Sequence, residues 1–179
     1  MQKRNVRLFK KIIRKVVLGP IRLLNRKKFQ IYFCKWMKSV GIRIDEYPLY
    51  ISHDVFLDEV DYSKIRIEEN VTISIGVTIL VHDHSITDVL LRYGNQKLKN
   101  SYVLREVHLK RNCFIGANTT ILPGTTIGEN SIVGAGSVVK GNIPDNVVVG
   151  GNPCRVLFSV QDYYNKILAF PENDIVKQF

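Results

Sequence analysis

The first 44 residues contain no aspartate or glutamate, yet they hold 14 of the 26 lysines and arginines of the chain. The rest therefore carries 12 basic side chains against all 16 acidic ones, a net charge of −4, although the whole chain carries +10. The positive charge thus belongs to a basic arm, and the body is mildly acidic. No recognised nucleic-acid module follows the arm, so we expect no nucleic-acid partner.

Cysteine is scarce, and Cys34, Cys113 and Cys154 are too far apart for a CxxC motif or a disulfide framework. This usage favours a reducing compartment, so we expect a cytoplasmic protein. No apolar run approaches the roughly 18 residues of a membrane span. A signal peptide is not indicated either, because the longest apolar run of the arm contains Gly19 and Pro20 and precedes no small-residue cleavage site.

The arm, residues 1–44, has its apolar residues near helical spacing, with lysines and arginines between them. This pattern predicts an amphipathic helix, broken near Gly19-Pro20, and a second helical piece through about Lys38. Three interpretations remain open. The apolar side packs on the body, residues 1–40 dock peripherally on the anionic inner face of the membrane, or the helix binds nucleic acid, which is the weakest of the three.

Branched aliphatic residues recur every six positions in the second half of the chain. Those in phase are Leu109, Ile115, Ile121, Ile127, Val133 and Val139. Small residues come four positions after most of them, at Cys113, Thr119, Thr125, Ser131 and Ser137. The same phase is present upstream at Ile67, Ile73 and Ile79.

A six-residue period is typical of a coil of short strands, in which each hexad forms one side of a prism. One aliphatic side chain per hexad points inward and stacks on its equivalent in the next coil, while Gly and Asn adopt the turn conformations at the corners. Coils that pair their backbones with their neighbours form a parallel β-solenoid. Eleven hexads at three per coil predict about four coils. We assign residues 45–155 to this all-β domain.

The segments IGANTTILPGTTIGENSIVGAGSVV and IPDNVVVGGNPCRV resemble the hexapeptide-repeat acyltransferases. Within them, the maltose and galactoside O-acetyltransferases and related polysaccharide O-acetyltransferases are most similar. The resemblance covers roughly residues 65–156. It implies a left-handed β-helix, acetyl-CoA as cosubstrate without a metal, a sugar or glycan hydroxyl as acceptor, and a homotrimer with sites between subunits. It leaves out the arm and a C-terminal tail, residues 156–179, which we expect to be partly helical.

The repeat is lost between Ile79 and Leu109, where a polar loop, residues 82–106, leaves the solenoid. Ejected loops of solenoids commonly carry function. In the resembling family, a loop at this place covers the neighbouring subunit, and the catalytic histidine lies at its root. Acetyl transfer to a hydroxyl needs a base that takes the hydroxyl proton and later returns a proton to the thiolate, and imidazole fits both steps.

Two histidines stand at the root of this loop, in the segment His82-Asp83-His84. A gapless alignment with the family pattern places His84 at the catalytic position, whereas a two-residue difference in the loop places His82 there. We choose His84 first and His82 second. Asp83 or Asp88 is a candidate to orient the imidazole.

The resemblance also implies residues that contact acetyl-CoA. Gly116 and Ala117 match one backbone contact of the pantetheine arm, and Ala135 matches another. Lys140 departs by one residue from the position where the family has a Thr-Lys pair. Arg155 matches a residue that meets the nucleotide phosphates, for which a guanidinium is well suited. The small residues also suit a purely structural role, because solenoid corners require them.

Three alternative functions follow from the same residues. An amino-sugar N-acetyltransferase would use the same base with a different acceptor, and a non-catalytic scaffold would keep only the hexads. The β-helical γ-class carbonic anhydrases bind metal through three histidines, and His82, His84 and His108 superficially supply three imidazoles. Their spacing does not reproduce the arrangement of that class, so we expect no metal.

Overall fold

The computed structural model describes residues 18–94, 98, 100–171 and 174–175. Two helices come first, α1 (Leu18–Leu24) and α2 (Arg26–Val40). The break between them lies at Asn25, whose side chain accepts a hydrogen bond from the Lys28 backbone N–H and caps α2. Pro20 lies in the first turn of α1, where its missing N–H is tolerated. The amphipathic helix expected before it falls in residues 1–17, outside the described residues.

Short strands make up most of the chain that follows, interrupted by a 3₁₀ turn and completed by two more helices. The strands are β1 (Arg43–Ile44), β2 (Tyr50–Ile51), β3 (Phe56–Leu57), β4 (Ile65–Ile67), β5 (Thr72–Ile73), β6 (Thr78–Ile79), β7 (His82–Asp83), β8 (Val103–Leu104), β9 (Val107–Leu109), β10 (Phe114–Ile115), β11 (Thr120–Ile121), β12 (Thr126–Ile127), β13 (Ile132–Val133), β14 (Val138–Val139), β15 (Asn142–Ile143), β16 (Val147–Gly150) and β17 (Arg155–Ser159). The 3₁₀ turn is Tyr62–Lys64, and the helices are α3 (Ser85–Arg92) and α4 (Val160–Leu168).

The strands form three parallel sheets that are the sides of a prism. The first sheet has the order β1-β4-β9-β12-β15, the second β2-β5-β10-β13-β16, and the third β3-β6-β11-β14. Consecutive strands lie in consecutive sheets, so three strands make one coil, and the structure has four complete coils and part of a fifth. The predicted left-handed parallel β-helix of about four coils, with a helical N-terminal arm, is confirmed.

The repeat residues fill the interior of the prism. In the second sheet, Ile73 pairs with Ile115 and Ile115 with Val133, so one aliphatic side chain stacks on the next. The in-phase aliphatics from Leu109 to Val139 are fully buried, as are the small corner residues Thr119, Thr125, Ser131 and Ser137. Burial of each such aliphatic side chain stabilises the fold by about 1.5–3 kcal/mol.

Asparagines hold one corner of the prism, between the first and second sheets. Asn112, Asn130 and Asn146 have positive φ angles of 58°, 56° and 60°, which asparagine tolerates better than most residues. The Asn112 side-chain amide donates to Asn130 Oδ1, and that of Asn130 donates to Asn146 Oδ1, both at 2.9 Å. The corner is therefore joined from coil to coil by side chains as well as by backbone.

Helix α2 closes the N-terminal end of the prism. Phe33 and Met37 are fully buried in the same core as the solenoid aliphatics. Gln30 makes two hydrogen bonds to the backbone of Ile51, donating to its carbonyl at 2.8 Å and accepting from its N–H at 3.0 Å. Residues 26–40 of the arm thus pack on the body, the first of the three interpretations.

The C-terminal end is covered differently. Strand β17 turns back and pairs antiparallel with β16. Helix α4 follows, and Ser159 and Asp162 form a capping box at its start. No helix in the described part of the chain combines the length and the apolar character needed to cross a bilayer.

Candidate active site

The ejected loop has a well-defined root. The chain leaves the third sheet at the fully buried Val81 and rejoins the first sheet at Val107. Between them, β7 and β8 pair antiparallel, with His82 opposite Leu104 and Asp83 opposite Val103. This ribbon fixes the backbone of His82 against the body, and α3 extends beyond it.

His82 contacts a buried carboxylate from the preceding coil. Its Nδ1 forms a short hydrogen bond with Oδ2 of Asp58, the residue that follows β3. The same Asp58 oxygen accepts the backbone N–H groups of Val81 at 2.9 Å and His82 at 3.2 Å. Because the Asp58 side chain is only 4% exposed and that of His82 is 25% exposed, the pair lies at the surface with its carboxylate inside.

The carboxyl of Asp58 is held in its ionised form. Burial by itself raises its pKa, but hydrogen bonds from the backbone N–H groups of Val81 and Val60 and from His82 outweigh burial and lower the pKa below its ordinary value. An ionised carboxylate only accepts hydrogen bonds, so His82 Nδ1 carries the proton. The lone pair of the neutral imidazole is then on Nε2, the nitrogen available to a substrate.

The two aspartates expected to orient the imidazole occupy other places. Asp83 is exposed and accepts the backbone N–H of Ser85 at 2.8 Å. Hydrogen bonds from Ser85, and to a smaller extent the charge of Lys140, lower its pKa below the ordinary value. Asp88 is exposed on α3. The sequence signal for Asp58 was its place in the repeat, since Leu57 pairs with Ile79 and Asp58 therefore lies one coil below the start of the loop.

His84 and a tyrosine complete the surroundings of His82. His84 precedes α3 and makes no side-chain cap for that helix. Its ring centroid lies 5.1 Å from that of His82 and 4.9 Å from that of Tyr102, on the returning strand of the loop. Tyr102 lies 5.9 Å from His82 in an edge-to-face arrangement. Sequence reasoning did not single out Tyr102, which is brought here by the pairing of β7 with β8.

The small residues expected to contact acetyl-CoA lie at another corner, between the second and third sheets. A Cβ on Gly116 would come within 2.5 Å of the Ala135 backbone nitrogen, so contact between coils already requires glycine there. Ala117 is half-buried and Ala135 is exposed on the next coil, where the Gly136 N–H donates to the Ala117 carbonyl. These alanines form a narrow exposed strip along this corner.

The two basic residues expected to contact acetyl-CoA lie apart from each other. The corner between the third and first sheets holds His82, and we call it the histidine corner. Lys140 is exposed at this corner, two coils beyond the loop root. Arg155 is exposed at the start of β17, and its Nη1 donates to the Cys154 carbonyl at 2.9 Å. Lys140 thus lies at the same corner of the prism as His82, whereas Arg155 lies at the C-terminal end of the prism.

The third histidine of the metal-site alternative lies elsewhere. His108 is on the outer face of the first sheet, and its Nε2 is 2.7 Å from Oε1 of Glu68. Among residues 18–94, 98, 100–171 and 174–175, no three histidine, cysteine or acidic side chains meet as a metal-binding group.

The cysteines are placed as packing residues. Burial raises the pKa of the Cys113 thiol to about 12, although hydrogen bonding to its own backbone acts in the opposite direction. Burial likewise raises the pKa of Cys34 to about 11. Since the thiolate is the nucleophilic form, neither side chain is suited to covalent catalysis near neutral pH.

Comparison with known proteins agrees with the coil geometry. A profile of the family described as bacterial transferase hexapeptide (six repeats) matches residues 106–141. Protein CapG of Staphylococcus aureus is 36% identical over 132 residues, which are 74% of this chain and 74% of CapG. The chain belongs to the hexapeptide-repeat transferase family.

Two further relatives of this chain are described as acetyltransferases. The galactoside O-acetyltransferase of Escherichia coli (strain K12) is 39% identical over 111 residues, 60% of this chain, and the match spans only 52% of that relative. A hexapeptide-repeat acetyltransferase from Vibrio cholerae O1 biovar eltor, solved in complex with acetyl-CoA, superposes with a TM-score of 0.55 at 31% identity. That match covers 66% of this chain and 60% of the solved one.

Proposed function

We propose that this chain is an acetyl-CoA-dependent O-acetyltransferase that acts on a hydroxyl of a sugar or glycan by direct transfer. The His82–Asp58 pair at the root of the ejected loop is the observation that carries the proposal, because the contact orients the imidazole through Nδ1. Family membership supports the cosubstrate, since a relative was solved with acetyl-CoA, and another relative is a galactoside O-acetyltransferase.

In the proposed mechanism, His82 replaces His84 as the first choice for the base. Nε2 of His82 takes the proton of the acceptor hydroxyl while its oxygen attacks the thioester carbonyl. The tetrahedral intermediate then collapses, the C–S bond breaks, and the imidazolium returns the proton to the departing sulfur. Asp58 stabilises the imidazolium and keeps Nδ1 protonated, the role of the carboxylate in other histidine-dependent acyl transfers.

We propose a homotrimer because the histidines and the Ala117–Ala135 strip lie at different corners of one prism. A neighbouring subunit would bring its own strip to the histidine corner and so complete a site. The outer surface supports this association, since Phe56, Ile75 and Phe114 are 52%, 57% and 41% exposed on or beside the second and third sheets. Apolar surface of this kind marks interaction sites.

A thiol-release assay with acetyl-CoA tests the function. The acceptors are methyl β-galactopyranoside, maltose and N-acetylglucosamine, with glucosamine added to detect transfer to an amine. We expect thiol release with a hydroxyl acceptor, and a loss of at least about 100-fold in kcat for His82→Ala. Full activity of His82→Ala would contradict the assignment of the base, and activity with the amine alone would indicate the N-acetyltransferase.

We also propose that the chain works in the cytoplasm, peripherally on the anionic inner face of the membrane, through the basic arm. Leu23 and Leu24 of α1 are 79% and 87% exposed beside the basic residues of the arm. The test is co-sedimentation with phosphatidylserine vesicles of the full chain and of a chain lacking residues 1–24, which removes α1 with Leu23 and Leu24. Deletion through residue 40 is unsuitable because it would uncover the core beside Phe33. Equal binding of both chains would contradict this contact.

A further inference from the structure

Three rings meet at the loop root, and only one of them has a role in the proposed mechanism. His82 is flanked edge-to-face by His84 at 5.1 Å and by Tyr102 at 5.9 Å. His84 and Tyr102 are 4.9 Å apart, with their planes tilted by 53°. The two flanking rings therefore form one aromatic surface beside the imidazole proposed as the base.

This aromatic surface is open to solvent. Tyr102 is 41% exposed, and His84 is also exposed. Rings that serve only the core would be buried, as Phe33 and Trp36 are at 0% and 5% exposure. Apolar ring area is thus exposed beside His82, where the proposed function places the acceptor.

The surface is also held in place before any ligand binds. Tyr102 comes directly before β8, whose pairing with β7 fixes the backbone on one side. On the other side, the hydroxyl of Thr87 in α3 donates to the carbonyl of Ser101. The Ser101 N–H donates to the Leu98 carbonyl at 3.1 Å, which ties the returning chain further. A rigid surface lowers the entropic cost of binding.

We propose that Tyr102 and His84 form a platform for the ring of a pyranose acceptor, which presents its hydroxyl to Nε2 of His82. This inference rests on the proposed function. A pyranose ring has faces of C–H groups and edges of hydroxyls. Its apolar face packs on an aromatic ring, and the hydroxyls remain at the rim. The platform selects a cyclic sugar over a linear alcohol of similar polarity.

The platform assigns His84 a role that differs from that of a base. A positioning ring need not titrate, so phenylalanine can replace it, whereas a base cannot be replaced in this way. His84→Phe therefore retains kcat within about 3-fold if His84 acts through its ring. A loss of His84→Phe activity as large as that of His82→Ala would overturn the platform role and restore His84 as the base.

Steady-state kinetics of Tyr102 variants tests the platform directly. The acceptors are the most active pyranose among methyl β-galactopyranoside, maltose and N-acetylglucosamine, and glycerol as the linear alcohol. We expect Tyr102→Ala to raise the KM of the pyranose about 10-fold or more, with the KM of acetyl-CoA and the pH profile of kcat unchanged. We expect Tyr102→Phe to keep the KM within about 3-fold, and glycerol transfer to be unaffected by either change.

Tyr93→Ala is the matched control, since Tyr93 follows α3 in the same loop and is 88% exposed. It should behave as the wild type with both acceptors. An active wild type with an unchanged Tyr102→Ala KM would overturn the platform alone. Absence of thiol release by the wild type with every acceptor would instead overturn the proposed function, and the platform with it.

Discussion

A single contact at the residue scale, between His82 and Asp58, determines which nitrogen of the His82 imidazole is engaged and which is left for the proposed reaction. The end of the hexad pattern, together with the family resemblance, predicted that the base lies at the loop root. The sequence did not indicate Asp58, because the contact joins residues of different coils, and the phase of the repeat was followed upstream only as far as Ile67. Nearby Asp83 and Asp88 were the natural candidates, but local hydrogen bonding and exposure place them elsewhere.

Replacement of Asp58 by asparagine should lower kcat/KM about 100-fold or more in the thiol-release assay. The amide can accept from Nδ1–H but does not stabilise the imidazolium, and its NH₂ group can favour the wrong tautomer. Asp83→Asn is the control, because Asp83 is exposed and its carboxylate accepts a hydrogen bond from Ser85. Comparable losses in both variants would show that Asp58 has no special role in orienting His82.

Asp58 should also contribute to acid sensitivity. Its folded-state pKa lies below the ordinary value of about 3.9, so its stabilising effect is present above that pH and is lost as the pH falls through the folded pKa. Urea unfolding between pH 2.5 and 7 should therefore show a steeper acid loss for the wild type than for Asp58→Asn. Parallel curves for the two chains would contradict this effect of the carboxylate.

Helix α2 shows the limit of sequence patterns at the scale of an element. The repeat specifies a core because its in-phase aliphatic side chains can be buried together only inside the solenoid. An amphipathic helix has no such unique partner, since helical spacing of apolar residues is equally suited to a protein surface and to a bilayer. The pairing of Gln30 with the Ile51 backbone and the burial of Phe33 identify the partner of α2 as the solenoid.

The two sides of α2 should therefore respond differently to truncation. Phe33→Ala should lower the free energy of unfolding by about 3–5 kcal/mol, because it leaves a cavity beneath the first coil. Tyr32→Ala, next to it on the same helix and 47% exposed, should change it by less than about 1 kcal/mol. Guanidinium unfolding followed by circular dichroism measures both. Equal effects would mean that α2 is not packed on the body in solution.

The architecture of the whole molecule was predictable because a six-residue period repeated in phase is compatible with few folds besides a β-solenoid. The interior of the loop was not, since β7, β8 and α3 are short and lack the hexad pattern, and their pairing depends on tertiary contacts. The sequence allowed two roles for the small corner residues, namely contact with acetyl-CoA and contact between coils. Coil contact accounts for Gly116, whereas the exposure of Ala135 leaves it available to a ligand.

Complementation between inactive chains tests whether a site uses two subunits. His82→Ala removes the base, and Ala135→Trp obstructs the exposed strip, so each homotrimer should be inactive. Chains co-expressed in equal amounts should recover about a quarter of the wild-type rate, because one interface in four joins an intact His82 to an intact strip. Activity no greater than the sum of the separate variants would place both residues in one subunit's own site.

The Gln30–Ile51 hydrogen bonds have a consequence for assembly along the prism axis. A β-solenoid has open strand edges only at its two end coils, whose unpaired backbone groups another chain can extend. Gln30 satisfies both groups of Ile51 at one end, while antiparallel β17 blocks continuation of the second sheet at the other. These two features close the second sheet at both of its ends. A chain without α2 would present the free edge of β2 as a template for end-to-end growth, and we expect such a chain to form fibres.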